Sequence, residues 1–343
     1  MPFGLKVPSK NTLIFSGVAG GIAGLVYSSN KYAQDARTRL AQRVSFLADR
    51  PCGVHEMPRK VTVYITAPPG DGLEKSRTWF REYVKPILVA GAVDYEIKEA
   101  KSPGQIETSV MEEIVQRRRE AVEASNAEST DHEPLEHKSN TGFTSPVDMN
   151  KKKSEVVSDG ILAIGRNAYR EVLSGLAKGC DASLAVVVEE PALEEIKVEE
   201  EASEESKTPE NMKDDTPVIV EETLEMLEPT PSEDVDHFSL PPKFSPVMYI
   251  PHVNIIGWTN IPYRLYMWYA DYKRIEEVGK YAVAAVLNQT RPFEERDADL
   301  GQDEKKYWIG HETAEVLKEN DTPIQVDERI FDKLSTYTSD DLP

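Results

Sequence analysis

Twenty consecutive residues, NTLIFSGVAGGIAGLVYSSN (Asn11–Asn30), carry no charge and lie between Lys10 and Lys31. As an α-helix at about 1.5 Å per residue they reach about 30 Å, the thickness of a bilayer's hydrocarbon core. Everything after them is polar and acidic in character. The chain is therefore expected to be one anchor carrying a large water-exposed part. A cleaved secretory signal would need a shorter apolar core and a small-residue cleavage site, which Tyr27-Ser28-Ser29 does not supply.

Four glycines interrupt the span: Gly17, Gly20, Gly21 and Gly24. They make two overlapping G-xxx-G pairs, which lie on one helix face and let another helix backbone come close. Gly is also common in membrane helices without such a role, so both readings stand. Lys6 and Lys10 precede the span, and Lys31, Arg37, Arg39 and Arg43 follow it against a single Asp35. By the positive-inside count the large part faces the cytoplasm-like or matrix-like side.

The net charge of −20 is uneven: Glu189–Asp236 holds 19 acidic residues and 3 lysines, leaving the rest nearly neutral. Nucleic acid is not an expected partner of such a surface. Cys52 and Cys180 form neither a disulfide framework nor a zinc motif. G-x-S-x-G, H-E-x-x-H, G-xxxx-G-K-[ST] and C-x-x-C are all missing, and the six histidines are scattered. No cofactor, no metal and no catalytic residue is expected, and His252 beside Pro251 reads as structural.

In chain order, residues 1–10 precede the helix 11–30. Residues 31–56 form a juxtamembrane helix with Leu40, Val44 and Leu47 on one face, ended by Pro51-Cys52-Gly53. It is either a basic stalk touching anionic headgroups or a solvated linker. VTVYITA (Val61–Ala67) is a buried strand, and PPGDG (Pro68–Gly72) is its loop. Leu73, Ser76, Phe80, Val84 and Ile87 mark a helix that Pro86 kinks or ends. VDYEIKE (Val93–Glu99) is a second strand, and Ile106, Val110 and Ile114 mark another helix. DGILAIG (Asp159–Gly165) is a third strand, followed by a helix through Tyr169, Val172, Leu173 and Leu176 to Gly179. Ser183–Val188 is a further short strand and Tyr249–Trp258 another. An aromatic helix follows (Tyr263, Tyr266, Trp268, Tyr269, Tyr272), then one carrying Val278, Ala282, Ala285 and Val286. Strand and helix alternate, so the fold class is α/β with a doubly wound, mostly parallel sheet.

That sheet domain is assembled from residues 57–123, 157–188 and 246–289. Between them lie a polar insertion (124–156) and an acidic one (189–245), both expected to be disordered. The tail 290–343 is expected to be mostly disordered, with one docking spot at Tyr307-Trp308-Ile309. The aromatic helix offers a candidate docking surface in Tyr263, Tyr266, Trp268 and Tyr269, or else is a half-buried core helix.

Two turns sit where an α/β protein holds phosphate. One is Pro69, Gly70, Asp71 and Gly72; the other is Gly165, Arg166 and Asn167. Each follows a strand and opens a helix, whose first N–H groups face an anion. Ordinary strand-to-helix turns use the same residues, and on spacing alone that reading prevails.

KVPSKN, MPRKVTVYITAPPGDGL, EYVKPILVAGAVDYEI, DGILAIGRNAYREVLSGL and IIGWTNIPYRLY together resemble the fungal Tim fifty-four-kilodalton family. The resemblance covers about residues 5–120, 157–180 and 248–290. It implies a single-pass subunit of the carrier translocase of the mitochondrial inner membrane. It further implies a short N-terminus in the matrix and the large domain in the intermembrane space, against the charge count above. The implied role is a non-enzymatic scaffold that supports the channel-forming subunit and other membrane subunits. It would dock the small Tim chaperone hexamers that deliver carrier precursors, within inner-membrane lipid. An adaptor role for an inner-membrane AAA protease is the alternative. A weaker similarity joins the strand and loop order to the α/β domain of diacylglycerol and acylglycerol lipid kinases. At Ile164–Ala168 their Gly-Gly-Asp-Gly-Thr loop keeps one glycine here, and Arg166 replaces the acid, which implies a fold retained with its chemistry lost.

Overall fold

In this computed structural model, residues 9–51, 53, 57–129, 158–184, 238–307, 323–324, 326–340 and 342 are described. The two expected insertions fall almost wholly outside them, as do Trp308, Ile309 and most of the strand expected at Ser183–Val188.

The apolar helix does not stop where its apolar stretch ends. One helix, α1, runs without a break from Lys10 to Val44, and Ser9 caps its N-terminus by accepting from the Thr12 N–H at 3.3 Å. It is, among the described residues, the one helix long and apolar enough to cross a membrane. Its first turns are exposed, and a buried stripe then begins: Ser29, Ala33, Ala36, Leu40 and Val44. Those positions repeat every three to four residues, one face of a helix. The expected stalk is thus corrected. The second half of α1 is a core helix, because this stripe has the helices over the sheet to pack against.

The sheet has six strands in the order β2-β1-β3-β4-β6-β5. They are β1 (Lys60–Thr66), β2 (Asp94–Ala100), β3 (Gly160–Ile164), β4 (Val247–Ile250), β5 (Thr290–Pro292) and β6 (Ser335–Tyr337). Every pairing is parallel except β5 with β6. The central strands are apolar on both faces because helices cover both. One face carries Val61, Val63, Ile65, Leu162, Ile164, Met248 and Ile250. Over it lie α1, the segment α2 (Leu73–Trp79) and α3 (Lys85–Ala90), and α7 (Asp271–Leu287). The other face carries Tyr64, Ile161, Ala163, Val247 and Tyr249 under α4 (Gln105–Ser129) and α5 (Arg166–Asp181).

Between α2 and α3 the helix widens into one π turn, Phe80–Val84. Pro86, at the start of α3, has no N–H to return to the preceding turn, and the widened turn accommodates it. The strand expected over Tyr249–Trp258 is shorter and earlier; after Ile250 the chain turns through Gly257 into α6 (Ile261–Tyr269).

The tail is not the mostly structureless segment expected of residues 290–343. It supplies β5, β6, α8 (Glu295–Ala298) and α9 (Glu328–Phe331), and seats Phe293, Ile324, Ile330 and Leu334 in the second core. Thr336 pairs with Val247 and extends the sheet beyond β4.

Candidate functional site

β1 runs between β2 and β3, and the helices that follow β1 and β3 lie on opposite faces, so the strand order reverses between these two strands. Beyond the carboxyl ends of β1 and β3 lies the crevice where open α/β sheets place ligands. Both turns singled out in the sequence open onto it.

The first turn spends its donors on its own atoms. The Asp71 N–H donates to the Pro68 carbonyl at 3.2 Å, and the Gly72 N–H donates to Asp71 Oδ1 at 2.8 Å. Gly70, Asp71 and Gly72 are exposed, and Pro69 is half-buried. Ser76 ties the following helix to the strand by donating to the Thr66 carbonyl at 2.6 Å.

The second turn is filled. Gly165 ends β3 with φ +84°, a conformation that favours glycine, and opens α5. A Cβ there would lie 3.3 Å from the His252 Cβ and 3.7 Å from Glu304 Oε2. The Arg166 N–H donates to Glu304 Oε2 at 3.0 Å. The His252 N–H and the Tyr249 hydroxyl donate to Glu304 Oε1 at 2.9 and 2.5 Å. A carboxylate from the chain's own tail therefore occupies the place at a helix N-terminus where a phosphate oxygen would bind. Arg166 turns inward rather than toward a ligand. Its Nη1 donates to the Leu300 carbonyl at 2.9 Å and lies 2.5 Å from Asp299 Oδ1, with the side chain only 1% exposed. Asn167 is half-buried beside it.

Burial pushes the Glu304 carboxyl up to about 7, against the three hydrogen bonds that favour its charged form. Burial also holds the His252 imidazole at about 3, helped by the charges of Lys75 and Arg274. His252 packs edge-on to Trp79 at 4.7 Å, and Trp79 Nε1 donates to the Pro251 carbonyl at 3.0 Å. A neutral, packed imidazole is a structural one. Among the described residues no cluster of His, Cys, Asp and Glu could hold a metal. This corner binds its own glutamate.

The two other predicted surfaces lie elsewhere. A Cβ built on Gly17, Gly20, Gly21 or Gly24 meets nothing within 4 Å, so that face of α1 is open. α6 buries none of its residues: Tyr263, Tyr266 and Trp268 are exposed and Tyr269 is half-buried. Tyr263 and Tyr266 stack at 6.3 Å, and the Lys273 ammonium donates to the Tyr266 hydroxyl at 2.8 Å.

Sequence reasoning missed Glu304, which sits in a polar stretch with no motif around it. It also missed a third pair of glycines four apart, Gly175 and Gly179. A Cβ on Gly175 would lie 2.7 Å from the Glu107 carbonyl oxygen, and one on Gly179 would lie 2.7 Å from the Ile114 Cβ. The spacing was the available signal.

Comparison with known proteins places the chain in a family. The model of the family described as "Inner membrane protein import complex subunit Tim54" matches residues 1–234 and 187–337. The mitochondrial import inner membrane translocase subunit TIM54 of Candida albicans is 30% identical, over 97% of this chain and 94% of its own length. The Schizosaccharomyces pombe subunit is 29% identical over 86% of this chain and 82% of its own. That of Saccharomyces cerevisiae is 26% identical over 89% and 84%. With the family match spanning both cores and the anchor, the chain belongs to the Tim54 family of mitochondrial inner-membrane protein import subunits.

Proposed function

We propose that this chain is a non-enzymatic scaffold of a carrier translocase, with its single span in the mitochondrial inner membrane and its α/β domain in the intermembrane space. The glycine face of α1 (Gly17, Gly20, Gly21, Gly24) packs against the channel-forming subunit. The domain presents the surface on which small Tim chaperones dock with their carrier precursors. The observation that carries this reading is the continuity of α1 from the open glycine face into the core at Leu40 and Val44. A membrane partner held by the first half is thereby held to the domain itself. Glu304 in the Gly165 turn supports a non-enzymatic, degenerate kinase-like corner. Membership of an import family favours the intermembrane-space placement over the charge count, in which the two flanks differ little.

The test is a mild-detergent pull-down of the tagged chain from mitochondria, alongside Gly17→Leu/Gly21→Leu. Recovery of the channel subunit and small Tim chaperones, with the channel lost from the double variant, is the expected result. Recovery of neither partner by the unsubstituted chain overturns the reading.

A further inference from the structure

Where α1 enters the domain its neighbour is α6. The Ser29 hydroxyl donates to the Trp268 carbonyl at 3.2 Å, and Ser29 is the first buried residue of α1. Residues 10–28 before it would reach about 28 Å, one hydrocarbon core. α6 therefore stands at the edge of the bilayer. Leu265 is 64% exposed, Trp268 55%, and Trp258 in the turn before α6 is 88% exposed. Two tryptophans and a leucine exposed in this way are costly facing water and favourable at a membrane interface.

Beside α6 opens a cleft of about 720 Å³ bounded by α1, α2, α6 and α7. Arg37, Lys75, Arg264 and Arg274 line it, against Glu82 and Asp271. Asp271 is already engaged, accepting from the Tyr83 hydroxyl at 2.7 Å and facing Arg274 at 3.8 Å. Arg37, Lys75 and Arg264 have no carboxylate partner among the described residues. With Arg274 set against Asp271 and Glu82 offsetting one of the other three, the lining keeps two net positive charges around one open space, and at the end of a membrane span these favour an anion from outside the chain.

We propose that this cleft holds the headgroup of an anionic phospholipid of the membrane that α1 spans, with α6 in the interfacial layer. A soluble anion would meet the same cations but would leave Trp258, Leu265 and Trp268 unexplained. A bilayer lipid accounts for both, because its acyl chains lie on the side of the exposed aromatics. The proposal depends on α1 spanning a membrane, and is independent of the scaffold reading.

The test uses the full chain in phosphatidylcholine nanodiscs with a minor fraction of anionic phospholipid. Brominated acyl chains are carried by one lipid or by the other. The Trp268 signal is the difference between the unsubstituted chain and Trp268→Phe. Quenching per label is expected to be stronger from the anionic lipid, and that preference should fall about fivefold for each charge removed in Arg37→Gln and Arg264→Gln. Both side chains are outside the core, and an unchanged thermal midpoint controls for folding. Equal quenching by the two labels, or a preference that survives both substitutions, overturns the headgroup site. Absence of quenching from either label overturns the placement of α6. A chain that does not enter the discs overturns the span itself, and that is seen before any spectrum is taken.

Discussion

Leu40 of α1 lies against Gly279 of α7 so closely that a Cβ on the glycine would come within 2.3 Å of Leu40 Cδ1. Ile87 of α3 approaches the same position to 3.1 Å. The contact fixes the depth at which the membrane helix sits in the domain. Around it, Ala33 and Ala36 are small enough to let α1 lie close, and Arg39 pairs with Glu276.

Gly279→Val is therefore expected to destabilise the domain by about 1–3 kcal/mol, the usual cost of overpacking. Urea unfolding followed by circular dichroism would measure it. Leu40→Ala alone should also destabilise, but combined with Gly279→Val it should recover part of the loss, since the added methyls enter the space it vacates. Strict additivity of the two substitutions would show that α1 and α7 are not in contact.

The same argument applies on the opposite face of the sheet. α4 and α5 approach through Gly175 and Gly179, with the Glu107 carbonyl and Ile114 filling the space a side chain would need. Arg118 of α4, buried at the end of this contact, donates to the Ala182 carbonyl at 2.8 Å and to the Ser239 hydroxyl at 2.7 Å. Gly175→Leu is expected to cost more than Gly279→Val, because backbone rather than a flexible side chain is in the way. Solubility and the thermal midpoint would show this. The same substitution at Gly20, where nothing lies within 4 Å, should leave the midpoint of the isolated chain unchanged.

These two glycine contacts show what the sequence could carry. Val61–Ala67 and Asp159–Gly165 were legible as strands because β-branched residues bounded by Pro and Gly have few other uses. The helix through Tyr169, Val172, Leu173 and Leu176 was legible from its period. A period says which face is apolar but not what covers it, so Leu40 and Val44 read equally as a stalk. Glycines four apart point to close helix packing in the span and equally at Gly175 and Gly179, where the packing partner is another segment of the chain. Glu304 was out of reach for a related reason. The N–H it accepts from, at Arg166, is 138 residues away in sequence, and only the pairing of β6 with β4 brings the tail back over the sheet.

Arg166 is a second test of that corner. Its guanidinium is buried against Asp299 and the Leu300 carbonyl. Arg166→Met keeps the length but leaves the carboxylate without its cation, so a loss of about 3–5 kcal/mol is expected. Arg166→Met with Asp299→Leu should regain much of it, because no charge is then stranded. A double variant as unstable as the single one would show that the ion pair is not what holds the tail.

Glu304 and His252 give the corner a pH dependence of opposite signs. The Glu304 carboxyl titrates near 7 instead of 4.5, so its contribution is full below 4.5 and is lost as pH rises toward 7. His252 titrates near 3 instead of 6.5, so its contribution is full above 6.5 and is lost as pH falls toward 3. Between 4.5 and 6.5 the two slopes oppose each other, each at most about 1.4 kcal/mol per pH unit. Glu304→Gln removes one of them. The substitution also sets an amide N–H against a backbone N–H, at a fixed cost of about 1–3 kcal/mol. The stability difference between Glu304→Gln and the unsubstituted chain should therefore move in favour of the variant as pH rises from 4.5 to 7, and level off above. Urea midpoints across that range would measure it. A difference that does not change with pH would mean that the carboxylate stays charged throughout, held by Arg166, His252 and Tyr249 strongly enough to outweigh its burial.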